Sequence, residues 1–224
     1  MAITYPISLP SDSIAQPVKT TFRIRRIIGQ TQSPFSGKTQ TFKHTGEWWE
    51  AEISLPPMKQ AVAKKWVASL VSLRGVSGQM LLGDFDARTP NGTASSNAGT
   101  PLVNGASQTG NALIIDGAPA SQTGYLKAGD YIQIGSGLSS RLHMVVEDAN
   151  TNGSGQTTLS IEPALRTSPA NDSTITVSSP KGVFRLVDNV TEWEANAISV
   201  YGITFAVTEY LAWVEVLQLH LIIN

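Results

Sequence analysis

Hydrophobic and polar residues alternate over much of the chain, which is the pattern of half-buried antiparallel β-strands. In the segment 21–28, Phe22 and Ile24 fall on one face, and Arg23 and Arg25 fall on the other. The segment 47–55 repeats the alternation, with Trp49, Ala51, Ile53 and Leu55 predicted to face inward and Trp48, Glu50 and Glu52 outward. Further strand candidates lie between residues 77 and 208, so we predict a mainly β protein.

One segment has helical spacing instead. From Pro57 to Arg74, apolar residues recur every three or four positions, at Met58, Val62, Trp66, Leu70 and Leu73. Proline suits the first position of a helix, and Gly75 can end it. A single amphipathic helix among strands is predicted to cover one face or end of a sheet.

Aromatic residues are distributed unevenly along the chain. All five Trp and all six Phe lie outside residues 86–180, where Tyr125 and Tyr131 are the aromatic residues present. Because large aromatic side chains dominate core energetics, we expect the two ends to share one core. We therefore predict one discontinuous β domain at 1–86 and 181–224 and an inserted β-rich module at 87–180, in which the Gly-, Ser-, Thr- and Asn-rich interval 87–110 is a flexible linker with little to bury.

Composition and charge narrow the function classes. The 224 residues are 41% hydrophobic and 15% charged, with a formal net charge of −1. This balance argues against a protein that coats nucleic acid or an anionic membrane. The charge is uneven, because residues 1–85 carry ten basic and five acidic side chains whereas residues 86–224 carry six and twelve.

Several kinds of chemistry lack their usual residues. Cysteine is absent, which excludes disulfides, Cys-ligated metals and thiol nucleophiles. The three histidines, His44, His143 and His220, have no partner at metal-ligand spacing, and no serine lies in a nucleophile elbow. We expect no secretory signal at the N-terminus, and polar residues interrupt the apolar segment 201–224, so no transmembrane helix is expected there. The sequence predicts a protein that is not an enzyme and has no metal or cofactor.

Two acidic residues allow two interpretations. Glu50 and Glu52 share a strand face with their side chains about 7 Å apart, within the range of inverting glycoside hydrolases. The simpler interpretation is that they form cross-strand or intersubunit ion pairs with Arg23 and Arg25. The outward position of Trp48 indicates either a binding or assembly contact or a strand that is buried on both faces.

Several segments, taken in order, carry a resemblance to a known family. The sequence GEWWEAEISLPP at 46–57, followed by the helix, resembles the N-terminal half of tail-tip proteins from long-tailed bacteriophages. Four later segments are similar to an inserted β-module seen in such proteins: LKAGDY at 126–131, SRL at 140–142, IEPALR at 161–166 and VSSPKGVFRL at 177–186. The family that the chain resembles most is that of the distal tail proteins.

The resemblance implies a tail-tube-like β-sandwich or barrel with one flanking α-helix, plus an inserted small β-barrel. It implies a structural virion protein that forms a homohexameric ring at the distal end of the tail and joins the tail tube to the tip or baseplate complex. The implied partners are further copies of the chain, the tail tube protein and the tip or hub proteins, with no membrane and no sequence-specific nucleic acid. The implied location is the virion, after assembly in the host cytoplasm.

In such a ring, neighbouring subunits pair their sheet edges, and the basic first third of one copy can meet the acidic remainder of the next. We therefore predict a subunit interface to which Arg23, Arg25, Trp48, Glu50 and Glu52 contribute.

Two rival hypotheses belong to other classes. The chain could be a carbohydrate-binding adhesin that acts in host attachment, with Tyr125 or Tyr131 stacking on a sugar. It could also be a glycoside hydrolase that uses Glu50 and Glu52.

Overall fold

The computed structural model describes residues 3–10, 16–195 and 200–211. Strands account for 42% and helices for 11%, which confirms the prediction of a mainly β protein. In chain order the strands are β1 (Ile7–Ser8), β2 (Lys19–Gln32), β3 (Thr39–Ser54), β4 (Met58–Lys59), β5 (Met80–Leu82), β6 (Leu102–Val103), β7 (Gly110–Asp116), β8 (Tyr131–Ile134), β9 (Arg141–Val145), β10 (Thr157–Leu165), β11 (Ile175–Thr176), β12 (Gly182–Leu186), β13 (Glu194–Ala195), β14 (Val200–Gly202) and β15 (Thr204–Glu209). The α-helix, α1, spans Gln60–Ser72, and short 3-10 helices lie at Gly75–Ser77, Thr93–Ser95 and Gly137–Ser139. Among the described residues, no helix has the length and apolar character needed to cross a membrane.

The first sheet has six strands in the order β1, β5, β12, β15, β3, β2. Its core contains the residues predicted to face inward, since Trp49, Ala51, Ile53 and Leu55 are all buried. Phe22 packs edge-on against Trp49, with the ring centroids 6.1 Å apart. The period-two alternation therefore predicted correctly which face of β3 enters the core.

The helix α1 covers this core, as its apolar stripe predicts. Trp66 and Leu70 belong to the same buried cluster as Ile53 and Phe205. The helix ends at Ser72 rather than the predicted Arg74, since Arg74 adopts a left-handed conformation with a φ of +53°. It also starts later than the predicted Pro57, because Met58 and Lys59 pair as β4 with β14 before the first helical turn. That pairing depends on residues more than a hundred positions away, which the local spacing cannot indicate.

The second sheet takes all its strands from residues 102–176, in the order β11, β8, β9, β10, β7, β6. A bridge between Leu102 and Thr174 connects its two outer sides, so the sheet nearly closes into a barrel. Its interior is lined by buried aliphatic side chains, among them Leu113, Ile115, Ile132, Val145, Leu159 and Ile161.

In the sequence, the second sheet is inserted between two strands that are paired in the first sheet. β5 and β12 are antiparallel neighbours, with Leu82 opposite Gly182. A Cβ atom added to Gly83 would lie 2.0 Å from the carbonyl oxygen of Pro180. The chain therefore leaves the first sheet and returns to it at adjacent points. The domain boundaries at 86/87 and 180/181 stay a prediction.

The interval 87–110 contributes more packing than its composition suggests. Ala94 and Val103 are buried in the core of the second sheet. The backbone amides of Asn91 and Gly92 donate to the Asp130 carboxylate at 2.7 and 3.2 Å. The expectation of little burial is corrected here, because small residues let the backbone pack closely and supply hydrogen bonds that a count of hydrophobic side chains does not register.

The β2–β3 hairpin continues beyond the first sheet's core. The register shifts between Arg26 and Ile28, and pairing then resumes from Ile28–Lys43 to Gln32–Thr39. At about 3.4 Å per residue, these five pairs extend roughly 14 Å. Almost every residue from 27 to 45 is exposed, and we call this stretch the arm.

Candidate subunit interface

The residues predicted for a subunit interface lie together on the outer face of β2 and β3. Arg23 is opposite Glu50 in the register, and Arg25 is opposite Trp48. The Arg25 Nε and Nη2 atoms donate to the two carboxylate oxygens of Glu50 at 2.7 and 3.2 Å. The cross-strand ion pair is therefore present within one copy of the chain.

Further contacts extend this cluster. The Trp48 indole Nε1 donates to Glu50 Oε1 at 3.2 Å, so that Glu50 accepts from both neighbours. Arg23 lies 3.8 Å from the carboxylate of Glu50 and 3.7 Å from that of Glu52. We call these five residues the outer cluster.

The electrostatics of Glu50 follow from these donors. The hydrogen bond from Arg25 lowers the pKa of Glu50, and the Trp48 indole and the charge of Arg23 act in the same direction against a smaller desolvation effect. The same hydrogen bond raises the pKa of Arg25. A glycoside hydrolase needs one carboxyl with a raised pKa to act as the general acid. Glu50 has the opposite tendency, so its environment favours ion pairing over proton donation.

The two tyrosines considered as sugar platforms do not have that role. Tyr125 is 0% exposed and Tyr131 is 6% exposed. Burial raises the pKa of both to about 12. The Tyr125 hydroxyl donates to the Ala98 carbonyl at 2.7 Å, and the Tyr131 ring packs against Trp49. The expectation of a glycan contact at these positions is corrected, because neither ring presents a face to solvent.

The histidines occupy dissimilar environments. His44 is exposed on the arm, whereas His143 is buried in β9. The His143 Nδ1 atom lies 2.7 Å from the Pro163 carbonyl oxygen and therefore donates to it. Desolvation lowers the pKa of His143 to about 4. His220 lies outside the described residues, and within the described ranges no three His, Asp or Glu side chains come together as a metal site would require.

Sequence reasoning missed a second charged cluster, which is buried where the two sheets meet. Glu47 and Glu209 are each only 3% exposed. The Arg166 guanidinium donates to both carboxylate oxygens of Glu209 and, through Nε, to the Glu47 carbonyl at 3.1 Å. We call Glu47, Arg166 and Glu209 the junction.

Backbone amides complete the junction. Glu209 also accepts from the Trp49 amide at 3.1 Å, and Glu47 accepts from the Ala164 amide at 2.6 Å. Each buried carboxylate thus has both a charged and a backbone donor, because Arg26 Nε also reaches Glu47 at 3.2 Å. Strands β3 and β15 of the first sheet are in this way tied to β10 and the residue after it in the second.

A signal for the junction was present in the alternation pattern. Glu47 precedes Trp49 by two positions, and Glu209 follows Val207 by two, so both carboxylates fall on inward faces. A buried carboxylate requires a cationic partner and hydrogen bonds. The parity of the strands thus predicts that each glutamate has a buried partner, although it does not identify Arg166.

Comparison of the chain with family models and with curated proteins found no match. The resemblance to distal tail proteins therefore stays a prediction that rests on the segments quoted above.

Proposed function

We propose that this chain is a structural protein of a bacteriophage tail. It forms a homohexameric ring at the distal end of the tail and joins the tail tube to the tip or baseplate complex. Its partners are other copies of itself, the tail tube protein and the tip or hub proteins, and it is assembled into virions in the host cytoplasm.

The observation that carries the proposal is the free edge of β2. This strand has 14 residues and is the last strand of the first sheet, so one row of its backbone groups has no strand beside it within the described residues. Strands in globular proteins usually have about five or six residues, and long free edges invite pairing with another chain. Head-to-tail contacts between identical copies can close such edges in a ring.

The outer cluster supports the same assignment. Arg23 and Glu52 have side chains that are 52% and 54% exposed, and their mutual contact is a long one at 3.7 Å. Both side chains keep hydrogen-bonding capacity for a group on a neighbouring subunit. Arg25 and Glu50 already neutralise each other within one copy, so their role in the cluster is to hold the neighbouring side chains in place rather than to attract another subunit.

The direct test is the size and location of the assembled protein. Light scattering coupled to size exclusion should give six times the monomer mass of 23.9 kDa, alone or after addition of tail tube protein. Negative-stain images should show closed rings, and antibodies against the chain should label the distal end of the tail. A 23.9 kDa monomer under both conditions, or virions that lack the chain, would reject the proposal.

The predicted interface has a separate test. The double variant Arg23→Glu and Arg25→Glu should raise the protein concentration needed for ring formation at least tenfold. A matched variant adds Glu50→Arg and Glu52→Arg, which restores the pairing inside one copy but keeps the sign reversal toward a neighbour. If the matched variant assembles like the unmodified protein, the charges act only within the subunit, and the interface prediction is wrong.

A further inference from the structure

The end of the arm holds an aromatic side chain in solvent. Phe35 is 99% exposed. The turn that carries it is ordered by backbone bonds, since the Ser33 amide donates to the Lys38 carbonyl and the Gly37 amide donates to the Ser33 carbonyl, each at 2.9 Å. Gly37 has a φ of +66°, the left-handed conformation that favours glycine in such turns. The turn therefore fixes a large apolar side chain away from the rest of its own chain.

The arm also has a single sign of charge. Residues 27–45 include Lys38 and Lys43 and no acidic residue. Within the described residues neither lysine forms a salt bridge, and Ile27, Ile28 and Phe42 are each about half exposed. A two-stranded ribbon is marginally stable by itself in water, so a partner that covers this one would stabilise it. A partner that complements the arm would have an apolar surface for Phe35 and acidic side chains for the lysines.

One cleft on the same chain has that chemistry. It lies between α1 and the ends of β12 and β15, where Leu70, Leu186 and Phe205 line it. Its volume is about 370 Å³. An apolar cavity of about 150 Å³ holds a benzene molecule, so this cleft has room for a phenyl ring.

The rim of this cleft is acidic. Asp188 and Glu192 line it, both are exposed, and neither has an ion-pair partner among the described residues. No Lys or Arg follows Arg185 in the sequence, so the rim has no basic side chain of its own segment. Val187 and Val190 add exposed apolar surface beside the acids.

Charge distinguishes this cleft from four others among the described residues. Four further clefts each include at least one basic side chain, respectively Arg88 with Lys181, Arg141 with Arg166, Lys43 with Arg166, and Arg185. Lys38 would approach a like charge in each of them, although Asp84, Glu47 and the pair Glu50 with Glu209 also line three of these clefts. Of these five clefts, the one with Asp188 and Glu192 has acidic side chains and no basic one, so its charge complements that of the end of the arm.

We propose that the arm of one copy docks on a second copy of this chain, with Phe35 inserted into the cleft beside Leu70 and Phe205 and with Lys38 paired to Asp188 and Glu192. Phe35 does not occupy the cleft of its own chain, because it is almost fully exposed there. The contact joins two different surfaces, so it is head-to-tail and leaves one free arm and one free cleft on every open assembly. This inference rests on the proposed ring and specifies which surfaces close it.

The test uses two variants of the full chain, each of which disables one side of the contact. Phe35→Asp removes the inserted side chain, and the pair Asp188→Lys with Glu192→Lys reverses the rim. Each should raise the concentration needed for assembly at least tenfold, by light scattering. Leu138→Asp is the control, because Leu138 is an exposed apolar residue in the 3-10 helix between β8 and β9. All four substituted positions are exposed, so thermal unfolding should match that of the unmodified protein.

Mixing the variants tests the direction of the contact. Phe35→Asp copies keep an intact cleft and rim-reversed copies keep an intact arm, so an equimolar mixture should form 1:1 dimers and nothing larger. Adding Lys38→Glu to the rim-reversed pair should restore assembly, because the charges are exchanged rather than lost.

The outcomes separate this inference from the proposed function. If the unmodified protein forms rings and both variants form them equally well, the arm does not dock in the cleft, and the proposed ring stands. If Phe35→Asp blocks assembly but the rim reversal has no effect, the arm docks elsewhere, and the cleft assignment is wrong. If the unmodified protein stays monomeric, both the proposed ring and this inference fail.

Discussion

The outer cluster and the junction contain the same kinds of residue, and they differ mainly in their contact with water. Both place glutamates of β3 beside arginines, and Glu47 and Glu50 are only three residues apart. Glu50 lies on the solvent face, where an ion pair is screened and contributes little. Glu47 and Glu209 lie on inward faces at 3% exposure, where an unpaired charge is costly. Burial, more than the number of ion pairs, therefore determines what each cluster contributes to stability.

The largest effect is expected from removing the cation of the junction. Arg166→Met leaves the Glu209 carboxylate buried without its charged partner, which costs about 3–5 kcal/mol. The melting temperature should fall by about 10 °C or more in differential scanning calorimetry. Arg185→Met is the matched control, because Arg185 is exposed on β12 and should have no measurable effect. Equal melting temperatures for the two variants would show that Arg166 contributes no more to stability than an exposed arginine does.

An intermediate effect is expected from pH, through the buried His143. Its pKa in the folded protein is about 4, below the ordinary histidine pKa of 6.5, so the unfolded chain binds more protons between these values. Stability should therefore be full above about pH 6.5 and should decrease as the pH falls toward 4, by up to about 3 kcal/mol.

Urea unfolding at several pH values measures this effect. His143→Gln keeps a donor for the Pro163 carbonyl but does not titrate, so its stability should change less over the same interval. The pKa of Glu50 is lowered from its ordinary value of 4.5, so its contribution to stability falls mainly around and below that pH, and the interval near pH 6.5 reports chiefly on His143. Parallel pH profiles for the two proteins would contradict the prediction.

The smallest effect is expected in the outer cluster. Glu50→Gln should leave the melting temperature within about 2 °C of the unmodified protein, because the pair with Arg25 is exposed to solvent. Glu47→Gln on the same strand is the comparison, and it should lower the melting temperature several times more. If the two variants have equal effects, the distinction between the two faces of β3 is wrong in energetic terms.

Local patterns predicted the fold further than they predicted the sites. Period two fixed the inward face of β3, and the spacing around Trp66 fixed the buried side of α1, because both depend on neighbours within a few residues. Arg166 is the partner of both Glu47 and Glu209, and it is 119 residues from the first and 43 residues from the second in the sequence. No local pattern contains such a distance, so the junction could be expected only in general terms.

Isolated residue types were the weakest guide. Tyr125 and Tyr131 were considered as sugar platforms because a module poor in aromatic residues has few candidates. Both rings are buried in the hydrophobic core, where they fill space between strands, and composition alone does not show this. By contrast, the alternation predicts that Trp48 faces outward because its neighbour Trp49 faces inward. The Trp48 indole does lie on the outer face, where it donates a hydrogen bond to Glu50.

The pairing of Leu82 with Gly182 has a consequence for how this architecture can vary. Since β5 and β12 are adjacent, everything between them occupies the place of a hairpin turn, and a two-residue turn could in principle replace it. Such a deletion would remove the Arg166 partner of Glu209, and it would also remove the Tyr131 ring and the Leu142 carbonyl that contact Trp49. The second sheet therefore joins the first at a single hairpin position, but it also completes the first sheet's core through Tyr131 and Leu142 and neutralises Glu209 through Arg166.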